Sequence, residues 1–267
     1  MIGDITIGQY FTGNSVLHKI DPRTKIILTI VYIIILFIVN NPFAYLINGI
    51  FILSLYIICK IPFKMIFSNM KPILPVLFFT FLINLFFVKT GDIIFRFWIF
   101  SITTGAINLA LIMIVRIVLL IAGSSLLTYT TLPIDLTDGI EILLSPLKKI
   151  HFPVHELAMM MTISMRFVPT LIDETTKIMA AQKSRGVDME NGSIIKRVKS
   201  IIPILIPLFV SAFRRANELS IAMESRCYRG GDGRTRYRAL KYSYLDFLSI
   251  IFMILFFTVL ICLNIFT

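Results

Sequence analysis

The residues best placed to do chemistry at a surface are two tripeptides, Ser184-Arg185-Gly186 in MAAQKSRGVD and Ser225-Arg226-Cys227 in AMESRCYRGG. Each closes an apolar-periodic run long enough to be a helix, and each follows alanine, methionine and a polar residue. Arginine is favoured electrostatically at a helix C-terminus, and its planar fork suits bidentate pairing with a carboxylate. Glycine after a helix is an ordinary cap, so one such site alone needs no further explanation. The repeat weakens that plain reading. Lys183 and Arg185 at one end, with Arg226 and Arg229 at the other, add more cation than capping requires. Two arginine-tipped ends of one design read as parts built to dock.

The other reactive groupings are weaker. His151-x-x-x-His155 followed by Glu156 has helical ligand spacing for a metal, but Pro153 lies between and no third His or Cys is near. Loop or cap histidines are the simpler reading. Gly230-Gly231-Asp232-Gly233 follows no strand, and G-x-x-x-x-G-K-[ST] is absent, so the chain should not bind and hydrolyse ATP through a P-loop. Arg234-Thr235-Arg236-Tyr237-Arg238 reads as an anionic-lipid contact or a simple anchor. Cys59, Cys227 and Cys262 offer neither a disulfide framework nor metal spacing. There is no Ser/His/Asp or Cys/His arrangement, and no span carries paired carboxylates. Asp173-Glu174 either pairs with a neighbouring helix or forms a solvated face. A non-catalytic protein with no cofactor and no metal is expected.

The elements that must position the two tips follow from hydrophobicity. The chain has 267 residues, 57% hydrophobic and 15% charged, with a net charge of +11, against about 45–50% apolar and about 25% charged in a soluble domain. Ile26–Val39, Phe43–Cys59 and Phe247–Phe266 carry no charge, and roughly 17–25 apolar residues cross a bilayer as a helix. The fold class is an all-α polytopic membrane protein, because only helices and closed barrels satisfy the backbone in lipid and barrel alternation is missing. About five spans are expected: Thr24–Val39, Phe43–Cys59, Pro72–Val88, Ile102–Thr128 and Leu245–Phe266. Asp21-Pro22 reads as an N-cap with proline at the first helical position, and Asn40-Asn41-Pro42 as a tight reversal. The loop carrying Lys60, Lys64 and Lys71 reads as interfacial, and residues 93–103 as an aromatic hairpin or re-entrant piece. Arg116 falls inside span four. It is either a functional residue or a cytoplasmic-half side chain that snorkels to the interface.

From residue 131 to 244 the pattern changes. Helices are expected from Leu132 to near Ser145-Pro146, from after Pro153 to Lys183, and from Ser193 to Ser225, the last two with long apolar stripes. Pro169, Pro203 and Pro207 should kink them. Residues 1–130 thus form the N-terminal region and first four spans, 131–244 a cytoplasmic region of coupling helices, and 245–267 the last span. Most Lys and Arg residues fall in the middle region, which the positive-inside rule puts in the cytoplasm together with the N-terminus, leaving the C-terminus outside. Met159, Met160 and Met161 add an adaptable surface.

The stretches GQYFTGNSVLHKIDPRTKI, MRFVPTLIDETTKIMAAQKSRGVD and RRANELSIAMESRCYRGGDGRTRY together resemble the transmembrane T component of energy-coupling factor (ECF) type ABC transporters. That family is marked by two Ala-Arg-Gly-type motifs at the tips of two coupling helices. Serine stands for alanine in both tips here, and Cys227 stands where glycine is expected, which puts a left-handed cap there in question. The resemblance implies that Arg185 and Arg226 dock on two cytoplasmic ATPase subunits. It further implies that the helices contact a membrane-embedded S component that binds a vitamin or metal ion, in a multi-pass protein of a bacterial or archaeal cell membrane. Met159, Met160, Met161, Phe167 and Leu208 are the candidate S-component contacts, and no nucleic acid is implied. Two alternatives remain at this stage: a lipid-modifying membrane enzyme using His151–Glu156, and an autonomous secondary transporter, for which inverted repeats are expected.

Overall fold

The computed structural model describes residues 10–97, 100–187, 193–231 and 240–266. The described residues fall into two compact units, one of residues 10–139 with 240–266, the other of residues 140–231. The basic run Arg234–Arg238, with Asp232 and Gly233, lies outside the described residues.

The first unit opens with a short helix, α1 (Val16–Lys19), and then the helical pair α2 (Pro22–Ile38) and α3 (Pro42–Cys59). Both long helices begin as the sequence dictates. Asp21 and Asn41 accept from the backbone N–H of Arg23 and Phe43, and Pro22 and Pro42 take the first turn, where a missing N–H costs nothing. Next come α4 (Phe63–Met70), a 3-10 turn at Lys71–Ile73, and α5 (Leu74–Phe87). The expected interfacial loop at Lys60–Lys71 is therefore helical from Phe63, and Lys64–Phe87 forms one candidate span. A proline near the start of a helix is tolerated, so Pro72 and Pro75 do not break it.

Two strands, β1 (Ile93–Phe97) and β2 (Phe100–Thr103), pair antiparallel, with Ile93 opposite Thr103 and Phe97 opposite Phe100. The long α6 (Thr104–Thr130) follows, and α10 (Tyr244–Phe266) returns to this unit. Between them the chain forms α7 (Pro133–Leu144), α8 (Val154–Ser184) and α9 (Ile194–Ser225). These three match the expected amphipathic helices closely at both ends. α8 and α9 run unbroken through Pro169 and through Pro203 and Pro207.

Among the described residues five helices are long and apolar enough to cross a membrane: Pro42–Cys59, Lys64–Phe87, Thr104–Thr130, Lys199–Ser225 and Tyr244–Ile265. With α2, whose 17 residues stand at the short end of the spanning range, this is a polytopic helical membrane protein. The inclusion of Lys199–Ser225 departs from the sequence reading, which treats α9 as amphipathic. Its run IIPILIPLFV is apolar on every side, as in a helix that meets apolar surroundings all round.

Tyrosines and close backbone approaches hold the membrane unit together. Tyr32 donates to the Leu119 carbonyl at 3.0 Å and Tyr56 to the Ala122 carbonyl at 2.9 Å, tying α2 and α3 to α6. In hydrocarbon these hydroxyls must find a partner inside the protein. Around them Leu36, Phe51, Leu126, Tyr129 and Leu260 make one buried cluster. Phe43, Phe67, Phe78 and Phe87 lie exposed on the outer surface, as lipid-facing side chains do.

At the N-terminus of α2 a polar knot joins α10. Buried Asp246 accepts from the Asp21 N–H at 2.7 Å and from Ser243 N–H. Arg23 forms two bonds to the Asp21 carboxylate, donates to the Leu240 carbonyl and lies over the Tyr242 ring. Burial works to raise the Asp21 carboxyl, but the side-chain and backbone bonds with Arg23 outweigh it and hold the group below the ordinary aspartate value. Lys25 donates to the Thr130 carbonyl at 2.8 Å, which places the start of α2 level with the end of α6.

The fit of α2 on α6 depends on Gly123, where a Cβ would lie 2.3 Å from Tyr32 Cε1. Gly123→Ala should therefore destabilise the unit by about 1–3 kcal/mol through overpacking, read as a lowered thermal midpoint in detergent. Gly49→Ala, whose Cβ would meet Leu119 Cδ2 at 4.0 Å, is the near-neutral control.

Candidate functional site

A helix leaves its last four carbonyls without intrahelical donors, and the two candidate tips solve this identically. At the end of α8, Gly186 N–H bonds to Lys183 O at 3.0 Å and Val187 N–H to Gln182 O at 3.1 Å. At the end of α9, Cys227 N–H bonds to Glu224 O at 2.9 Å and Tyr228 N–H to Met223 O at 3.0 Å. Both are Schellman closures. Arg185 (φ −84°, ψ 3°) and Arg226 (φ −93°, ψ 14°) occupy the same cap position. Gly186 (φ 84°) and Cys227 (φ 57°) follow in the left-handed conformation.

The doubt raised by Cys227 is thereby answered: the left-handed cap forms with cysteine in place. Ser184 and Ser225 donate to carbonyls of their own helices, Ala180 O at 3.1 Å and Ala222 O at 3.0 Å. Their hydroxyls serve the backbone, so alanine in the same place would lose only a local bond.

The closure alone is not distinctive, since α3 ends the same way with Lys60 at φ 54° followed by buried Ile61. What sets the two tips apart is exposure and charge. All six residues of the two tripeptides are exposed. Among the described residues neither Arg185 nor Arg226 has a carboxylate partner.

α8 and α9 form an antiparallel pair. Near the first tip, Gln182 Nε2 reaches the Pro203 carbonyl at 3.5 Å. Midway, Arg215 pairs with Glu174 at 2.7 Å, half-buried on both sides. So of the two acids Asp173-Glu174, the second pairs across the helices and the first is exposed. At the far end, Arg226, Cys227 and Arg229 rim a groove of about 680 Å³ whose floor includes Met159, Ile163, Leu219 and Met223. Counting ~1.5 Å per residue along α8, the two tips stand on the order of 35 Å apart.

Past the second tip the chain folds back along α8. Gly230 turns with φ 91°, and Gly231 lies so close to the His155 ring that a Cβ would sit 2.6 Å from its Cδ2. The glycine pair thus provides a turn and a close approach. His155 Nδ1 is bonded to Glu141 at 3.0 Å, whereas His151 is exposed in a left-handed turn. Their helical spacing does not produce a shared ligand set.

The methionines and neighbours expected at a second interface divide. Met160 and Met161 are exposed, whereas Met159, Phe167 and Leu208 are half-buried. Among the described residues of this unit, α9 carries a long run of uncovered apolar side chains: Ile202, Leu205, Ile206, Phe209, Val210 and Phe213, with Phe213 71% exposed. The doubled apolar pairs in IIPILIPLFV are the sequence signal for this surface.

The described residues thus form a many-helix membrane protein with two like, exposed basic helix ends. Residues 13–237 match the family described as cobalt transport protein. A protein of Ruminiclostridium cellulolyticum is 54% identical over 257 residues, covering 95% of this chain and 96% of the relative. Relatives from Clostridium kluyveri (50% over 250 residues, 93% of each chain) and Bacillus subtilis (46% over 243 residues, 91% and 92%) align almost as fully. All three are named energy-coupling factor transporter transmembrane protein EcfT. The chain belongs to this family, the transmembrane components of ECF transporters.

Cys227 sits where a residue with a Cβ pays roughly 1 kcal/mol relative to glycine. Cys227→Gly is expected to raise stability by about that amount, and Gly186→Ala to lower it similarly, although the space around Gly186 is open. Helix protection by hydrogen exchange at residues 181–187 and 222–228 reads both changes.

Proposed function

We propose that the chain couples two cytoplasmic ABC ATPase subunits to a separate membrane-embedded S component, and that Arg185 and Arg226 are the docking residues. The observation that carries this reading is the matched pair of tips. Each has the same hydrogen-bond closure and an exposed arginine at the cap position, at opposite ends of one antiparallel helix pair. Ser184, Gly186, Ser225 and Cys227 set the backbone that presents each guanidinium. A partner's carboxylate would meet both the arginine and, through bidentate bonds, a fixed direction of approach.

In this reading ATP is hydrolysed by the partner subunits, which move the tips, and α8 and α9 carry that motion to the S component. The uncovered apolar band of α9, with Met160 and Met161 of α8, is the surface for the S component. Flexible and shape-tolerant side chains suit a contact that must slide and re-form. Met159, Phe167 and Leu208 act behind that surface by packing the helix pair. The tips and the N-terminus lie on the cytoplasmic side of a prokaryotic cell membrane and the C-terminus outside, and the cargo is a vitamin or metal ion held by the S component.

Breaking a desolvated charge pair at an interface costs about 2–5 kcal/mol. Arg185→Glu together with Arg226→Glu should therefore abolish co-purification of the ATPases and uptake of cargo in cells. The variant should keep the thermal midpoint of the isolated chain, because both side chains are exposed and unpaired. Retention of both ATPases and full uptake would sink the assignment.

A further inference from the structure

The membrane unit contains a buried cation that the coupling function does not use. Arg116 lies halfway along α6 and is 8% exposed. Its guanidinium turns to the junction of α2 and α3, away from the Thr130 end of α6. Nε and Nη2 donate to the Tyr45 hydroxyl at 2.8 and 2.6 Å, and Nη2 also reaches the Val39 carbonyl at 3.1 Å and Asn40 Oδ1 at 2.7 Å. The Tyr45 hydroxyl in turn donates to Val39 O.

Every one of these acceptors is neutral. Among the described residues no carboxylate balances the charge, and Nη1 has no hydrogen-bond partner. A buried cation is costly unless it is paired. Four bonds from two of its nitrogens fix the plane of the guanidinium, so the direction of its remaining N–H donors is fixed too.

The surroundings indicate where the missing charge comes from. Asn40 N–H bonds to Asn264 Oδ1 at 2.9 Å, and Asn41 Nδ2 to the Leu263 carbonyl at 3.2 Å. The end of α2, the start of α3 and the end of α10 therefore meet at one level, marked by three asparagines. Lys25 and Thr130 mark the opposite level. The 14 residue steps from Lys25 to Val39 cover about 21 Å at ~1.5 Å each, somewhat less than a hydrocarbon core of ~30 Å. Arg116 thus sits beside the polar turn between α2 and α3, at one end of the apolar α2. Asn40 and Phe37 are both exposed, and Phe37 lies 5.8 Å from the guanidinium.

We propose that Arg116 is a binding site for the phosphate of a membrane phospholipid, with Tyr45, Val39 and Asn40 holding the guanidinium and Nη1 bonding the phosphate oxygen. The chemistry recognised is a phosphate oxyanion, and the source is a lipid headgroup lying over Asn40, its chains along the exposed α2 surface at Phe37 and Ile34.

The test uses the purified full chain in detergent, titrated with dimyristoyl phosphatidylglycerol and followed by native mass spectrometry. Loss of one charge-assisted bond weakens binding about tenfold, so Arg116→Gln should bind the first lipid about tenfold more weakly and Arg116→Lys should fall between. Since Arg116→Gln can also disturb folding, Asn40→Asp provides a second route. It leaves the arginine in place but supplies an internal carboxylate, so it should lose the lipid while keeping or raising the thermal midpoint. A third arm adds inorganic phosphate. The lipid source predicts that millimolar phosphate neither displaces the lipid nor shifts the thermal midpoint of wild type relative to Arg116→Gln. Equal lipid binding by wild type, Arg116→Gln and Asn40→Asp would overturn the site. Displacement by free phosphate would overturn the lipid as its occupant.

Discussion

A helix that stops must find donors for its final carbonyls, and most of what is distinctive here follows from how α8 and α9 do so. The Schellman closure demands a residue in left-handed conformation, and the one before it must cap the helix. Placing arginine at the cap therefore fixes where the guanidinium leaves the helix, whatever the side chain does beyond. The closing bonds are all backbone bonds, so the position of the charge does not depend on rotamers elsewhere. Exposed arginines usually lose side-chain entropy on binding. Here their points of attachment, at least, are settled in advance.

The two units meet opposite demands. In the membrane unit many buried polar groups are satisfied locally: Tyr32 and Tyr56 on α6 carbonyls, Asp246 on two backbone N–H groups, Arg23 on Asp21. Such a unit resists deformation, because lipid offers no substitute partners. Among the described residues the α8–α9 pair is held differently, by the half-buried Arg215–Glu174 ion pair, the Gln182–Pro203 bond and apolar side chains of which many stay uncovered. Packing of that kind has neighbouring arrangements of similar energy, which a moving element requires.

Much of this was legible in the sequence. Asp21-Pro22 and Asn41-Pro42 announce their helices because cap chemistry is local, and the uncharged runs announce spans because lipid excludes charge. The two tips were legible because a short motif recurred. What escaped has physical reasons as well. Lys60–Lys71 looked like a loop because lysines and prolines are polar or helix-breaking on average, but Pro72 and Pro75 fall at helix starts, where they fit. α9 looked one-sided because a stripe can be picked out of any all-apolar run. Gly231 against His155 joins positions far apart in the chain, and no local pattern encodes it. The same holds for Arg116, whose partners come from α3 and the turn before it. Cys227 shows the limit of residue preference, since the closing bonds of a helix end override the small cost of a Cβ.

The antiparallel pairing of α8 and α9 carries one more consequence. Two helices that run in opposite directions and end alike are related by an approximate twofold axis, which here passes near the Glu174–Arg215 pair. Objects that bind both ends in the same way are then related by that same axis. One chain without internal duplication can in this manner present itself as pseudo-symmetric to a pair of partners. Gly186 opposite Cys227 is where the symmetry is broken, and a partner able to sense a single thiol could tell one end from the other.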